Sequence, residues 1–184
     1  MPFSSGKYFP ETAAGKVFHL STAVAGVAIP ISTGTAATCG VWNTSTNKNA
    51  VLLKCNIGFT SGTIALGEFG LADVYATQVA TGSNITAFTD SVIGTTLRNG
   101  IIGGGDASAM RSTPSTATVV ANTACYWMGM SHEGATGVGP ANTMSHDFDG
   151  LVIVPPGRFV FVCGSIAQTG VFTITLSWAE VDID

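Results

Sequence analysis

The sequence predicts an all-β protein: an antiparallel β-sandwich, with a jelly roll as the expected arrangement, preceded by an extended N-terminal arm. Three observations lead there. Apolar residues recur with period two. Val51, Leu53, Cys55, Ile57 and Phe59 share one face of a run, with Leu52, Lys54, Asn56 and Thr60 opposite. Phe172, Ile174, Leu176 and Trp178 likewise alternate with Thr173, Thr175 and Ser177, as half-buried antiparallel strands require. Second, about eight to ten short runs of this kind are separated by glycine- and proline-rich turns, the spacing of a sandwich. Third, the chain is 46% hydrophobic and 10% charged, with 23 glycines in 184 residues. A helical bundle would draw about half its residues from Ala, Glu, Lys, Leu and Arg, and a disordered chain would be rich in charge. One domain of this length buries roughly 70% of its unfolded surface. An immunoglobulin-like sandwich would be nearer ~100 residues, which favours the jelly roll.

Residues 1–16 hold Phe3, Tyr8 and Phe9 among prolines and glycines without periodicity. They read as a terminus that frays when the protein is alone, or as an arm whose aromatics dock on a neighbouring subunit. Residues 17–184 read as a single sandwich domain. Its strand candidates begin at 17–20, 24–31 and 37–42, and continue after the 51–59 run at 63–69, 85–88, 117–120 and 125–130. Residues 151–154 are apolar on both faces, and Pro155-Pro156-Gly157 turns the chain into a run with Phe159, Phe161 and Cys163 on one face. That pair reads as a deeply buried hairpin. Leu71, Val74, Tyr75, Gln78 and Val79 instead stand at helical spacing, which predicts a short helix. Long loops are expected at about 99–116, around Gly100 to Gly105, and at 131–147.

Net charge is −4, and Lys7, Lys16, Lys48, Lys54, Arg98, Arg111 and Arg158 are scattered singly. Nucleic acid binding needs clustered cations to displace counterions from phosphates, so no direct nucleic-acid partner is expected, and no membrane partner either. The longest apolar run, 24–31, is far short of the ~20 residues that span a bilayer. A signal-peptide reading after Lys16 is interrupted by His19, Ser21 and Thr22. Cys39, Cys55, Cys125 and Cys163 include no C-x-x-C pair and read as buried free thiols, with a Cys39–Cys55 disulfide left open.

The motifs of catalysis are mostly refused. No lysine follows Lys54, so Gly100 to Gly105 is not a P-loop. No G-x-S-x-G elbow is present, and the neighbours Ser131-His132-Glu133 and Ser145-His146-Asp147 would point to opposite faces of a strand. His132, Glu133, His146, Asp147 and Asp149 have the nitrogen and oxygen donors of a zinc, manganese or iron site if a hairpin brings them together. The simpler reading is a polar surface loop, and no metal or cofactor is expected. His19 reads as a hydrogen-bonded core or interface histidine. Glu68 is a lone structural acid rather than half of a glycosidase pair. Trp42, Tyr126 and Trp127 would serve sugar stacking but sit in alternating runs that suit a core.

Two blocks carry a resemblance. One is Gly40-Val-Trp-Asn43 followed by Asn49-Ala-Val-Leu-Leu-Lys-Cys-Asn-Ile-Gly-Phe-Thr60 and Ser61-Gly62-Thr63. The other is Gly150-Leu-Val-Ile-Val-Pro-Pro-Gly157 with Ser177-Trp178-Ala179-Glu180-Val181. They resemble small β-sandwich or jelly-roll virion proteins of tailed bacteriophages, including cyanophage-like ones. Where similar sequences follow the Trp-Asn pair with proline, this chain has Thr44. The resemblance implies a non-enzymatic capsid cement or decoration protein. Such a protein is made in the host cytoplasm and placed on the capsid exterior, where it binds the major capsid protein as a homotrimer. It transfers no catalytic residues. The alternatives are a head-fibre or tail-fibre module that binds a host glycan, or a metal-dependent enzyme using His132 and His146.

Overall fold

The computed structural model describes residues 6–75, 97–102, 107–119, 124–130 and 143–183. They form two antiparallel sheets stacked as a sandwich, so the all-β expectation holds. The first sheet runs β10 (Ile153–Val154), β4 (Lys48–Ser61), β12 (Val171–Asp182), β1 (Val17–Ser21), β6 (Leu97–Asn99). Off that path, β2 (Val27–Ala28) pairs with β12, and β9 (Thr143–Asp147) pairs with β4. The second sheet runs β7 (Arg111–Thr118), β3 (Ala36–Trp42), β11 (Arg158–Gly164), β5 (Glu68–Tyr75), β8 (Ala124–Met130). No helix among the described residues is long and apolar enough to cross a membrane.

In β12 the core forms where the predicted alternation points. Phe172, Ile174, Leu176 and Trp178 of β12 are all buried between the sheets, with Leu20, Leu52, Cys55, Ile57, Leu71 and Val162. Trp178 stacks on Phe18 with ring centroids 6.1 Å apart. The register of β4 against β12 shifts at two places, at Thr60 near its end and in its middle. Trp178 pairs with Leu52 and Ser177 with Lys54, so Leu53 is an extra, bulged residue. The bulge changes which parity faces inward: Ala50 and Leu52 face the core before it, Cys55 and Ile57 after it. Leu53 itself lands on the outer face with Val17 and Ala179.

The second sheet is apolar on both faces. Val160 and Val162 face the sandwich interior, while Phe159, Phe161 and Cys163 are buried on the opposite face with Ala72, Val74, Ala37 and Ala117. This explains why the helical reading around residue 71 is wrong. Phe69 and Leu71 face one way and Ala72 and Val74 the other, so burial on both sides erases the period-two signal of β5. Gln78 and Val79 lie outside the described residues. Gly40 is needed where β3 crosses Phe159, because a Cβ there would run into the ring and 2.8 Å from the Val160 carbonyl.

Other boundaries differ from expectation. The segment 63–69 is irregular until β5 starts at Glu68. Of 24–31 only Val27–Ala28 is strand, because Ala23 to Gly26 make a turn with Gly26 at φ +74°. The loop expected over 99–116 contains the first part of β7, where Pro114 is accommodated on the outermost described strand of its sheet. β9 occupies the end of the loop expected over 131–147. Of 151–154 only Val154 is buried in the core: Leu151 is 77% and Ile153 54% exposed, because β10 is a two-residue edge strand. The candidate strand 85–88 lies outside the described residues.

The N-terminal arm is not extended over its described part. Phe9–Ala13 form a one-turn helix (α1) with Pro10 in its first turn and Glu11 beside it. Tyr8 packs on the outer-face patch of Val17, Leu53 and Ala179, which supplies apolar cover that an extended arm would lack.

Candidate functional site

A groove of about 570 Å³ opens where the edges of the two sheets part. Its floor includes Val160, Val154 and the half-buried Tyr126; Leu151, Ile153 and Tyr75 form an exposed apolar rim. β5 and β11 supply one wall through the pairs Asp73–Val160 and Tyr75–Arg158. There Arg158 forms an ion pair with Asp73 and stacks 3.9 Å from the centre of the Tyr75 ring. The two charges are half-buried and cancel each other. Val152, Pro155, Pro156 and Cys125 complete the lining. Exposed large apolar side chains gather around this concavity.

The groups offered by the sequence as chemistry are placed as follows. His132 and Glu133 lie outside the described residues. His146 and Asp147 are neighbours in β9 and diverge, as strand geometry demands. His146 turns toward Tyr126, Nε2 to hydroxyl 3.2 Å, and its ring packs edge-on against Tyr126 and Phe148. Asp147 faces the other way, accepting from the Tyr8 hydroxyl and from the Asp149 N–H at 3.1 Å. Lys7 forms ion pairs with Asp147 and Asp149. His146 therefore does not share an ion with Asp147, and among the described residues no three His, Cys, Asp or Glu side chains converge.

Of the interface candidates, Tyr8 is committed to its own chain, donating to Asp147; burial and then that carboxylate push its phenol up to about 12. Phe9 is half-exposed and Phe3 lies outside the described residues. Trp127 is 42% exposed and lies over Gly70, while Tyr126 and Trp42 are half-buried. Glu68 is half-buried, and its backbone carbonyl and N–H bond Ser165.

Sequence reasoning missed two polar residues that organise this end of the fold. Asn43 is wholly buried. Its Nδ2 donates to the carbonyls of Lys48 and Val154, both at 2.8 Å, and its Oδ1 accepts from the Ser45 N–H at 3.0 Å. Its backbone N–H donates to the Arg158 carbonyl and its carbonyl accepts from Gly157. One residue, through its side chain and its backbone, thus ties the β3–β4 turn to β10 and to the Pro155–Gly157 turn beside the groove. Glu180, 3% exposed, accepts from the Ser108 hydroxyl at 2.5 Å and the Ala109 N–H at 3.1 Å, with Lys48 Nζ at 3.9 Å. It continues the inward alternation of Trp178 by two residues, a signal that was present in the sequence.

His19 bonds Ser177 Oγ through Nδ1 at 2.8 Å, and burial lowers its pKa below the usual 6.5. The unfolded chain then takes up the proton first, so stability falls as pH drops through 6.5 toward the lower folded value. The denaturation midpoint should show that slope, and His19→Gln should remove it.

All four cysteines are free. Burial pushes the Cys55 and Cys163 thiols up to about 12 and Cys39 well above its ordinary value. Cys125 is exposed, its sulfur directed at the Leu71 carbonyl 3.4 Å away. Native protein, dilute and at pH 8, should take up one equivalent of iodoacetamide, at Cys125, and four in denaturant; labelling of Cys39 or Cys55 in the native state would contradict their burial.

No family model matches the chain, and no curated protein or solved structure matches it.

Proposed function

We propose that the chain is a non-enzymatic virion structural protein. It acts as a capsid decoration or cement protein, binding the exterior of a tailed-phage head as a homotrimer and stabilising it through the major capsid protein. The observation that supports this most is the apolar rim of Tyr75, Leu151 and Ile153 on a chain that is only 10% charged. A surface of this kind favours association with other protein surfaces over repulsion. The side chains suggestive of chemistry serve structural bonds, His146 with Tyr126 and Asp147 with Tyr8 and Lys7. The resemblance in the Gly40–Thr63 and Gly150–Gly157 blocks supplies the particle. Several weak contacts per trimer would add as avidity, so that capsid subunits bridged by it are harder to lose one at a time.

Purified protein mixed with phage heads assembled from major capsid protein alone should co-sediment in multiples of three and raise the temperature at which the heads rupture. Heads that neither bind it nor gain stability would overturn the proposal. The exposed rings of Tyr75 and Trp127 favour, as a second reading, a fibre module that binds a host glycan. Retention on immobilised host polysaccharide, with loss in Tyr75→Ala or Trp127→Ala, would select that reading instead.

A further inference from the structure

The groove lies along a strand edge whose main-chain groups are open. Residues 151–156 all line it, and β10 is the outermost described strand at that end of the first sheet. Leu52 N–H donates to the Val152 carbonyl at 2.9 Å, and Ile153 stands opposite Val51 one place further along. In an antiparallel pair, residues bonded to the partner strand alternate with residues that turn their N–H and C=O away from it. Val152 is of the first kind, so Ile153 is of the second, and both of its main-chain groups point to the open side of β10. Neither has a partner among the described residues, and Ile153 is 54% exposed. The open stretch is short. The Leu151 N–H is spent on the Phe148 carbonyl at 2.8 Å, and Pro155, which has no N–H, accepts from Arg158 at 3.2 Å.

An open donor and acceptor on one strand residue are matched together, and in register, by the main chain of another extended segment. β7, at an edge of the second sheet, offers less, because Pro114 removes a donor from its middle. The groove beside Ile153 sets the side chains such a segment needs. A residue added opposite Ile153 shares its face of the sheet and points outward, while its two neighbours point the other way, the way Val154 does, over the groove floor of Val154 and Val160. The charges in the wall, Asp73 and Arg158, are joined to each other. Apolar side chains therefore fit there, whereas a charged one would leave water without a partner.

We infer that the groove takes an extended, uncharged segment of a partner protein. The segment adds to β10 as a strand through a donor-and-acceptor pair with Ile153, and seats two apolar side chains, two positions apart, in the groove. This gives the form of the contact at the apolar rim. It rests on the decoration reading above for the identity of the partner, the major capsid protein.

The test passes a pool of capped heptapeptides over the immobilised full-length protein. The pool has Val, Ile, Leu or Phe at alternate positions and Ser or Thr between them. Ile153→Pro deletes the outward N–H without touching a bond to β4, a change that edge strands accept; Ile153→Ala keeps the N–H and shortens the side chain. Near-UV circular dichroism checks that both fold. Retained peptides should bind Ile153→Pro at least about tenfold more weakly than wild type, and Ile153→Ala within about threefold. N-methylating the peptide residues one at a time should find a position that loses binding equally, with the protein unaltered. Amide exchange at Ile153 in the wild type should slow severalfold when peptide binds. A pool that is not retained, peptides that ignore Ile153→Pro, or an Ile153 amide indifferent to peptide would overturn the inference. Protection of that amide by raised protein concentration alone would assign the edge to a second copy and overturn it as well. Heads that bind wild type and Ile153→Pro alike would remove the strand contact and leave the decoration role standing. Peptides captured through Ile153 by a protein that ignores heads would overturn the decoration role and leave the groove as an acceptor of an extended segment.

Discussion

Asn43→Leu is expected to destabilise the protein by about 4 kcal/mol and to lower its thermal midpoint by roughly 10 °C. Leucine keeps the volume but removes both donors. The carbonyls of Lys48 and Val154 then lose partners at 2.8 Å in a site closed to water, and the Ser45 N–H loses its acceptor. A buried polar group left unpaired costs ~1–3 kcal/mol, and more than one is stranded here. Asn43→Asp separates shape from bonding. The carboxylate faces two carbonyl oxygens, so ionisation is disfavoured in the fold, and the loss should deepen as pH rises through the carboxylate range. Urea melts at pH 4 and pH 7 check both variants. A Leu variant within ~1 kcal/mol of wild type would show that water reaches the site.

The second large effect belongs to Glu180. Its carboxylate holds the 108–110 segment against β12, and Met110 beside that anchor is 1% exposed. Glu180→Ala strands the Ser108 hydroxyl and the Ala109 N–H and leaves Lys48 without its partner, an expected loss of about 3 kcal/mol. Glu180→Gln keeps an acceptor for Ala109 and should cost about half as much. Amide exchange at Ala109 reads the anchor directly, accelerating strongly in the Ala variant and little in the Gln variant. Equal exchange in both would mean that the segment is held by something other than this carboxylate.

The sandwich was legible because β12 alternates cleanly over Phe172 to Trp178 and only one of its faces is apolar. β5 was not, because both of its faces are buried and Leu71, Ala72 and Val74 lose the strand period. The Leu53 bulge left no trace in sequence, since an inserted residue looks like any other until its partner strand is known. An apolar run such as 151–154 reads the same in a core as on an edge, so the exposure of Leu151 and Ile153 could not be foreseen. The groove itself joins residues from four stretches of chain, and only the pairing of strands brings Asp73, Cys125, Ile153 and Arg158 together. The separation of His146 from Asp147, by contrast, follows from their adjacency once β9 is a strand. Glu180 needed only the β12 alternation carried one step further.

The claim on which this account turns is that the chain assembles with copies of itself through apolar contacts, and multi-angle light scattering at low and high salt tests it most directly. The expected particle has three times the 18.7 kDa of one chain, unchanged between the two conditions, because apolar contacts leave salt little charge to screen. A monomer at both salts, or a trimer that dissociates as salt rises, would contradict it.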